Sequence, residues 1–379
     1  MDAETADIET LDIETDQTNQ YFPRVSVIVP IYNGEQDLPG LLDCLIAQTY
    51  PAEQVEYLVV DNASSDRTPQ ILAAATEKFA AKGLTYKPLS ETEIQSAYAA
   101  RNTGIRAATG EFLAFTDADC YPQPNWLVGL MQPFSDEQVG LVAGKITAFP
   151  GTTWLEHYAE RKEMISQAAT LANRFCAYGQ TANLGIRLTA LKQVGLFRPY
   201  LTTGGDADIC WRVQREGTHK GKPWKIYYAE DAPIAHRHRQ TLAELKKQWY
   251  RYGKSNRYLN QLHGVKLAWP LPKKERNRTL LRWALKELPI AAVKVVLGRA
   301  NFADIVTSPL DIYCAQARDL GQKESSLPDE ARLKADYPAS PSTVSLSANS
   351  SGAKTIAPET IAPKTIAQSA LHQQADGQK

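Results

Sequence analysis

From Val25 the chain reads Val-Ser-Val-Ile-Val-Pro, a β-branched run of strand length that a proline ends. Leu38, Leu41, Leu42, Leu45 and Ile46 then recur at helical spacing and give one apolar face. A second apolar run over 55–60 predicts a strand that ends at Asp61. Thr68 followed by Pro69 reads as an N-cap with proline at the first helical position, opening a helix to about Ala80. A helix over 97–107 precedes Gly110, and 111–116 is the next strand, ending at Asp117. Farther on, 208–216 reads as a helix closed by Gly217, and 224–229 as a strand. Short apolar strands separated by helices predict an α/β fold with a parallel sheet covered on both faces. Ligands of such sheets sit beyond the carboxyl ends of the strands, where Asp61 and Asp117 stand.

The segment Thr116-Asp117-Ala118-Asp119 follows its strand directly. Two carboxylates so placed can project into one mouth and offer hard oxygen ligands to Mg²⁺ or Mn²⁺ beside phosphates. The same aspartates could instead cap a turn, which Asp favours.

Composition narrows the setting. Hydrophobic residues are 43% of 379, ample for a large core, and the formal net charge of +0 argues against nucleic acid as a partner. The charge is unevenly spread. Residues 1–20 carry seven acidic side chains and no Lys or Arg, whereas 236–300 holds 16 Lys plus Arg against Glu244, Glu275 and Glu287. Five scattered cysteines without a C-x-x-C pair read as reduced thiols, which points to the cytoplasm. The N-terminus lacks the basic start and apolar run of a signal peptide. The apolar stretch at 288–297 is interrupted by Pro289 and Lys294 and is shorter than the roughly 20 residues a spanning helix needs. The expectation is a protein that is cytoplasmic or peripheral at the inner face of the plasma membrane. Its expected divisions are an acidic disordered tail at 1–22, a catalytic domain at 23–260, a basic amphipathic helical extension at 261–322, and a Ser/Ala/Pro-rich disordered tail at 323–379.

Five ordered segments resemble family 2 glycosyltransferases. They are Val25-Ser-Val-Ile-Val-Pro-Ile-Tyr-Asn33, Gln48-Thr-Tyr-Pro51, Val59-Val-Asp-Asn-Ala-Ser-Ser-Asp-Arg-Thr68, Ala100-Arg-Asn-Thr-Gly104 with Gly110-Glu-Phe-Leu-Ala-Phe-Thr-Asp-Ala-Asp119, and Gly204-Gly-Asp-Ala-Asp-Ile-Cys-Trp-Arg212. The resemblance implies the GT-A fold, a Rossmann-like nucleotide-binding sheet fused to an acceptor-binding half. It also implies inverting, metal-dependent transfer of a sugar from a nucleotide diphosphate sugar, expected to be UDP-linked, to an acceptor hydroxyl. The acceptor would be a glycan, a cell-envelope polysaccharide or a lipid-linked saccharide.

Carried over by position, Pro30, Tyr32, Glu35, Asp61 and Asn62 would surround the nucleotide, although many relatives have Asp where Asn62 stands. Arg101 would meet the diphosphate, Asp117 the ribose or metal, and Asp119 the metal. Asp206 matches the family's general base, which must take the acceptor hydroxyl's proton on the face opposite the leaving group. Many relatives carry Glu-Asp where this chain has Gly205-Asp206, so Asp208 is the second candidate. Asp206 could also serve only as a helix cap.

Other residues carry weaker signals. His236 is a candidate further metal ligand, or an ordinary histidine. Asn183 resembles the loop between donor and acceptor halves, or lies in a turn. Gln248 and Arg251, in Gln-Trp-Tyr-Arg-Tyr, resemble the Q-x-x-R-W element of processive synthases, with Arg251 available to the diphosphate. Trp154, His157, Tyr158 and Arg161 share helical spacing and form either an acceptor platform or a packed face. The region 251–299, with Trp269, Trp283 and several leucines among its cations, is either an interfacial helix on anionic lipid or a solvated extension.

Other functions compete. A sugar nucleotidyltransferase would need a Gly-rich phosphate loop where Tyr32-Asn33-Gly34-Glu35 stands. A non-catalytic carbohydrate-binding scaffold and a retaining transferase are the remaining alternatives.

Overall fold

A computed structural model describes residues 21–267, 270–299 and 302–337. The bulk of the two expected tails and Trp269 lie outside the described residues. In chain order the elements begin β1 (Val25–Ile31), α1 (Leu38–Ile46), β2 (Val55–Asp61), α2 (Thr68–Ala80), β3 (Thr85–Ser90), α3 (Ala97–Ala107) and β4 (Phe112–Thr116). Next come β5 (Cys120–Pro122), α4 (Trp126–Met131), β6 (Val139–Ala148), α5 (Trp154–Arg161), α6 (Gln167–Leu171), β7 (Asn183–Arg187), α7 (Leu188–Val194) and α8 (Gly205–Glu216). The last are β8 (Thr218–His219), β9 (Lys222–Pro223), β10 (Lys225–His236), α9 (Leu242–His263), α10 (Lys273–Arg282), α11 (Leu288–Val296) and α12 (Phe302–Glu324).

The main sheet has eight strands in the order β3-β2-β1-β4-β7-β6-β10-β5. β1 to β4 pair in parallel, as does β6 with β10, while β7 and β5 run antiparallel to their neighbours. The sheet is therefore mixed, not parallel throughout. Every residue of β1 is buried because both faces are covered. Val25, Val27, Val29 and Ile31 point to a core shared with α1, α2 and α4; Ile28 points to the opposite core under α3, α7 and α8. β3 carries little sequence signal, since none of its residues is buried and they include Pro88, as suits an edge strand.

Register aligns the functional edge. Ile31 pairs with Asp61, Ile28 with Phe115, Thr116 with Asn183, and Cys120 with His236. The ends of β1, β2 and β4, the start of β7 and the end of β10 thus share one side of the sheet. At the other end, Glu56 is a buried strut. Burial alone would raise its carboxyl, but Lys87 at 2.8 Å and bonds from Ser26 and Thr109 hold it at about 2.

Several boundaries differ from expectation. Thr68 does not cap α2 with its side chain; it is the first helical residue, and its hydroxyl accepts the Gly34 N–H instead. α8 starts at Gly205, so Asp206 lies inside its first turn. The strand expected over 224–229 continues past an irregularity to His236. α9 runs through His263, across the boundary expected at 260. The polypeptide after 323 packs on the core up to 337, burying Leu327 and Ala331 and pairing the Leu196 N–H with the Ala335 carbonyl at 2.7 Å. Tyr21 and Phe22 likewise pack edge-on against Phe112 and Tyr50.

α9 and α12 lie side by side in touching contact. A Cβ at Gly253 would fall 1.8 Å from the Arg318 carbonyl oxygen, and one at Gly321 would fall 2.0 Å from that of Tyr250. Only glycine fits such a crossing. α5 packs on α12, with Tyr158 donating to Asp311 at 2.7 Å and Arg161 paired with Asp304. Of the residues read as a platform or a face, Trp154, Tyr158 and Arg161 thus pack on α12 or its start, while His157 is part-exposed and faces Glu160. No described helix is long and apolar enough to cross a membrane.

Candidate active site

At the β1–β2 side of the mouth, two loops lock together. Pro30 is buried in β1, and Tyr32 just beyond it is 55% exposed. The Asn33 N–H donates to Ser64 Oγ at 2.8 Å and the Ser65 N–H returns to Asn33 Oδ1 at 2.8 Å. The Glu35 N–H bonds Asp66 Oδ2 at 3.0 Å, and the Glu35 carboxylate faces Arg67 at 3.3 Å. Asp61 ends β2 and accepts the Ser64 N–H at 3.2 Å. Asn33 and Ala63 both adopt left-handed φ, at 51° and 59°, an unusual conformation that this web of bonds holds in place. Asn62 is buried, and its amide donates to the Glu91 and Ile94 carbonyls at 2.9 and 3.0 Å. That nitrogen therefore ties the loop after β3 and is not turned to the mouth.

The centre of the mouth is charged. Arg101, 4% exposed on α3, places Nη2 2.5 Å from Asp117 Oδ1. Its Nε is buried with no hydrogen-bond partner among the described residues. The pull of Asp117 and Asp206 outweighs burial and raises the guanidinium's pKa, so the cation is fixed. Asp206, in the first turn of α8, accepts the Thr181 hydroxyl at 2.9 Å. Burial raises its carboxyl above the ordinary value, Asp117 adds to that, and Arg101 opposes it. The Gly205 N–H donates to Tyr98 Oη at 2.9 Å, and the Tyr98 ring stacks on Phe197 with centroids 5.7 Å apart. A Cβ at Gly205 would sit 2.6 Å from that ring. The glycine found where many relatives have Glu thus makes room for Tyr98.

A third group lies at the β5–β10 seam. Antiparallel pairing sets Asp119 beside His236, with Oδ1 and Nε2 3.5 Å apart, and Arg239 reaches the other Asp119 oxygen at 3.5 Å. Asp119, Cys120 and His236 hold their candidate ligand atoms within 4.8 Å of one another. Burial, then Asp119 and Asp117, pushes the Cys120 thiol well above its ordinary range, and a soft sulfur is a poor match for hard Mg²⁺ or Mn²⁺. The carboxylate and imidazole that remain fit a divalent cation that accepts oxygen and nitrogen donors. His236 is buried, and its Nδ1 has no partner among the described residues.

Four expected residues stand elsewhere. Asp208 is fully buried on the far side of α8, bonded to Arg198, Arg212 and His263 at 3.1, 2.9 and 3.0 Å. Burial would raise its carboxyl, but the His263 bond and the Arg212 and Arg198 charges hold it well below the ordinary value. Such a group is a poor proton acceptor, which removes it as an alternative base. Asn183 opens β7 rather than a loop, and its amide is spent on Trp126, Lys145 and Ala232. Gln248 is buried in α9 and donates to Tyr252 at 3.0 Å. Arg251 is exposed on α9, whose backbone there meets Thr203 before α8. Tyr98, Thr181 and Arg239 were not anticipated. The one sequence clue was that Tyr98 precedes Arg101 by one helical turn.

Comparison with known proteins bears on the family and the fold. The sequence profile described as glycosyl transferase family 2 matches residues 26–191, and that of glycosyl transferase family group 2 matches 112–300. Glycosyltransferase AglE of Haloferax volcanii is 35% identical over 234 residues, covering 61% of this chain and 72% of that protein. The pre-mycofactocin glycosyltransferase of Mycobacterium tuberculosis is 27% identical over 269 residues, covering 70% of this chain; the chain spans 53% of that relative's length. Among solved structures, a mannosyltransferase of Pyrobaculum calidifontis, in complex with GDP-Man and Mn²⁺, superposes with a TM-score of 0.55 at 21% identity, covering 80% of this chain and 89% of that one.

Proposed function

Because the chain belongs to glycosyltransferase family 2 and has its GT-A fold, we propose that it transfers a sugar, with inversion, from a nucleotide diphosphate to an acceptor hydroxyl. The acceptor in this reading is a glycan or a lipid-linked saccharide, and Asp206 is the general base. The observation that carries the proposal is the meeting of Arg101 of α3, Asp117 just past β4 and Asp206 of α8.

Tyr32 and Asp61 lie where a nucleotide base and ribose would rest, on loops whose own bonds pre-form them. Arg101 keeps its positive charge beside Asp117 and Asp206, a suitable counter-charge for the diphosphate. A divalent cation held by Asp119 and His236 would neutralise charge developing on the leaving group. The acceptor oxygen attacks the anomeric carbon on the face opposite the diphosphate. The new C–O bond forms as the old one breaks, and the bonding electrons leave with the diphosphate. The hydroxyl proton goes to Asp206, whose raised affinity suits it to that task. Thr181 fixes one Asp206 oxygen, which leaves the carboxylate oriented before the acceptor arrives.

Thermal unfolding in the presence of individual UDP- and GDP-sugars, with Mn²⁺ or EDTA, tests the donor half of the reading. One nucleotide sugar should raise Tm, and EDTA should abolish the rise, since a ligand that binds only the native state adds stability that grows with the logarithm of its concentration above Kd. Full activity in EDTA would rule out the role given to Asp119 and His236. Analysis of the product anomer separates inversion from retention.

A further inference from the structure

We infer that the helical arm formed by α10 and α11 docks on an anionic membrane surface. The two helices are joined by a π-helical turn at Trp283–Glu287 and together extend about 36 Å. One side of the arm is accounted for. Trp283 Nε1 donates to the Ile305 carbonyl at 2.7 Å, Glu287 accepts the Ser308 hydroxyl at 2.5 Å, and Ala291 is buried. These positions, four residues apart, form the face packed on α12.

Two residues away from each of them, on the opposite face, runs the series Leu281, Leu285, Pro289, Val293 and Leu297. All five are exposed. Leu285 reaches 73% and the adjoining Val296 reaches 86%. One position over runs a second ridge, Lys274, Arg278, Arg282, Lys286 and Lys294, broken once by the exposed Ile290. Residues 273–299 carry eight Lys and Arg against Glu275 and Glu287, and Glu287 is already engaged by Arg282 at 2.8 Å.

An apolar stripe beside a row of cations along one helical arm suits an interface where acyl chains meet the stripe and phosphates meet the row. A second copy of the chain is disfavoured, because pairing two such arms would bring like-charged ridges together. The arm is carried by α12, which lies against α9, so a docked arm would hold the catalytic sheet at the lipid surface. The inference does not depend on the donor or the metal.

Flotation of the full chain with vesicles tests it. The protein should float with phosphatidylcholine vesicles that contain phosphatidylglycerol and stay behind with phosphatidylcholine alone. The double variant Leu285→Glu/Val293→Glu should weaken binding about tenfold or more, as should Arg278→Glu/Lys286→Glu. All these side chains are exposed, so circular dichroism should be unchanged. Absence of flotation by the wild-type chain would overturn the inference. So would variants that float as well as wild type, or an apolar-stripe variant whose only change is loss of a dimer in gel filtration.

Discussion

Asp206 and Asp208 stand two residues apart on α8, and their surroundings drive them in opposite directions. Burial raises Asp206, while three cationic or hydrogen-bonding partners pull Asp208 down despite its burial. A raised carboxyl accepts protons and, when ionised, costs the fold stability; a depressed one contributes stability. The acid limb of kcat/KM should therefore lie above the ordinary carboxylate value of 3.8, with activity rising as Asp206 ionises. Arg101 opposes that rise. Replacing it by Met should move the limb to higher pH, while Lys should keep it near the wild-type position. A pH–rate profile on the two variants decides this, and an unmoved limb in Arg101→Met would detach Arg101 from the base. At this scale the motif residues were legible because they follow strands or open a helix. Thr181 and Tyr98 were not, because they meet the α8 turn across 25 and 107 residues of sequence.

Among elements, α8 is held from both sides. Tyr98 of α3 bonds its first N–H, and the Asp208 cluster ties it to α9 through His263 and, through Arg198, to the carbonyl of Arg332. Asp208→Asn would leave Arg198 and Arg212 buried without their counter-charge and should cost about 3–5 kcal/mol at neutral pH. Because the folded Asp208 is depressed, its contribution is present above 3.8 and fades as pH falls below that value. Denaturant titrations should thus show a gap between wild type and variant that narrows in acid; a constant gap would point to lost packing instead of lost charge. The strands buried on two faces were legible as unbroken apolar runs. Exposed β3 with its central Pro88 was not, nor was the packing of 325–337, whose polar composition conceals Leu327 and Ala331. Asn183 read as loop because an amide in a central strand is rare; here three partners satisfy it.

On the scale of the molecule, sheet register and the start of α8 bring residues far apart in sequence to one side of the sheet, with Asp117 and Asp206 beside Arg101, the Asp119–His236 pair at their flank, and Asp61 at the end of β2. The central claim is that Asp206 removes the acceptor's proton there. The most direct test is the transfer rate of Asp206→Asn measured beside donor affinity by calorimetry. The account predicts a loss in rate of about a thousandfold with donor Kd nearly unchanged, and Tm at neutral pH no lower than wild type. Wild-type turnover in that variant would contradict it.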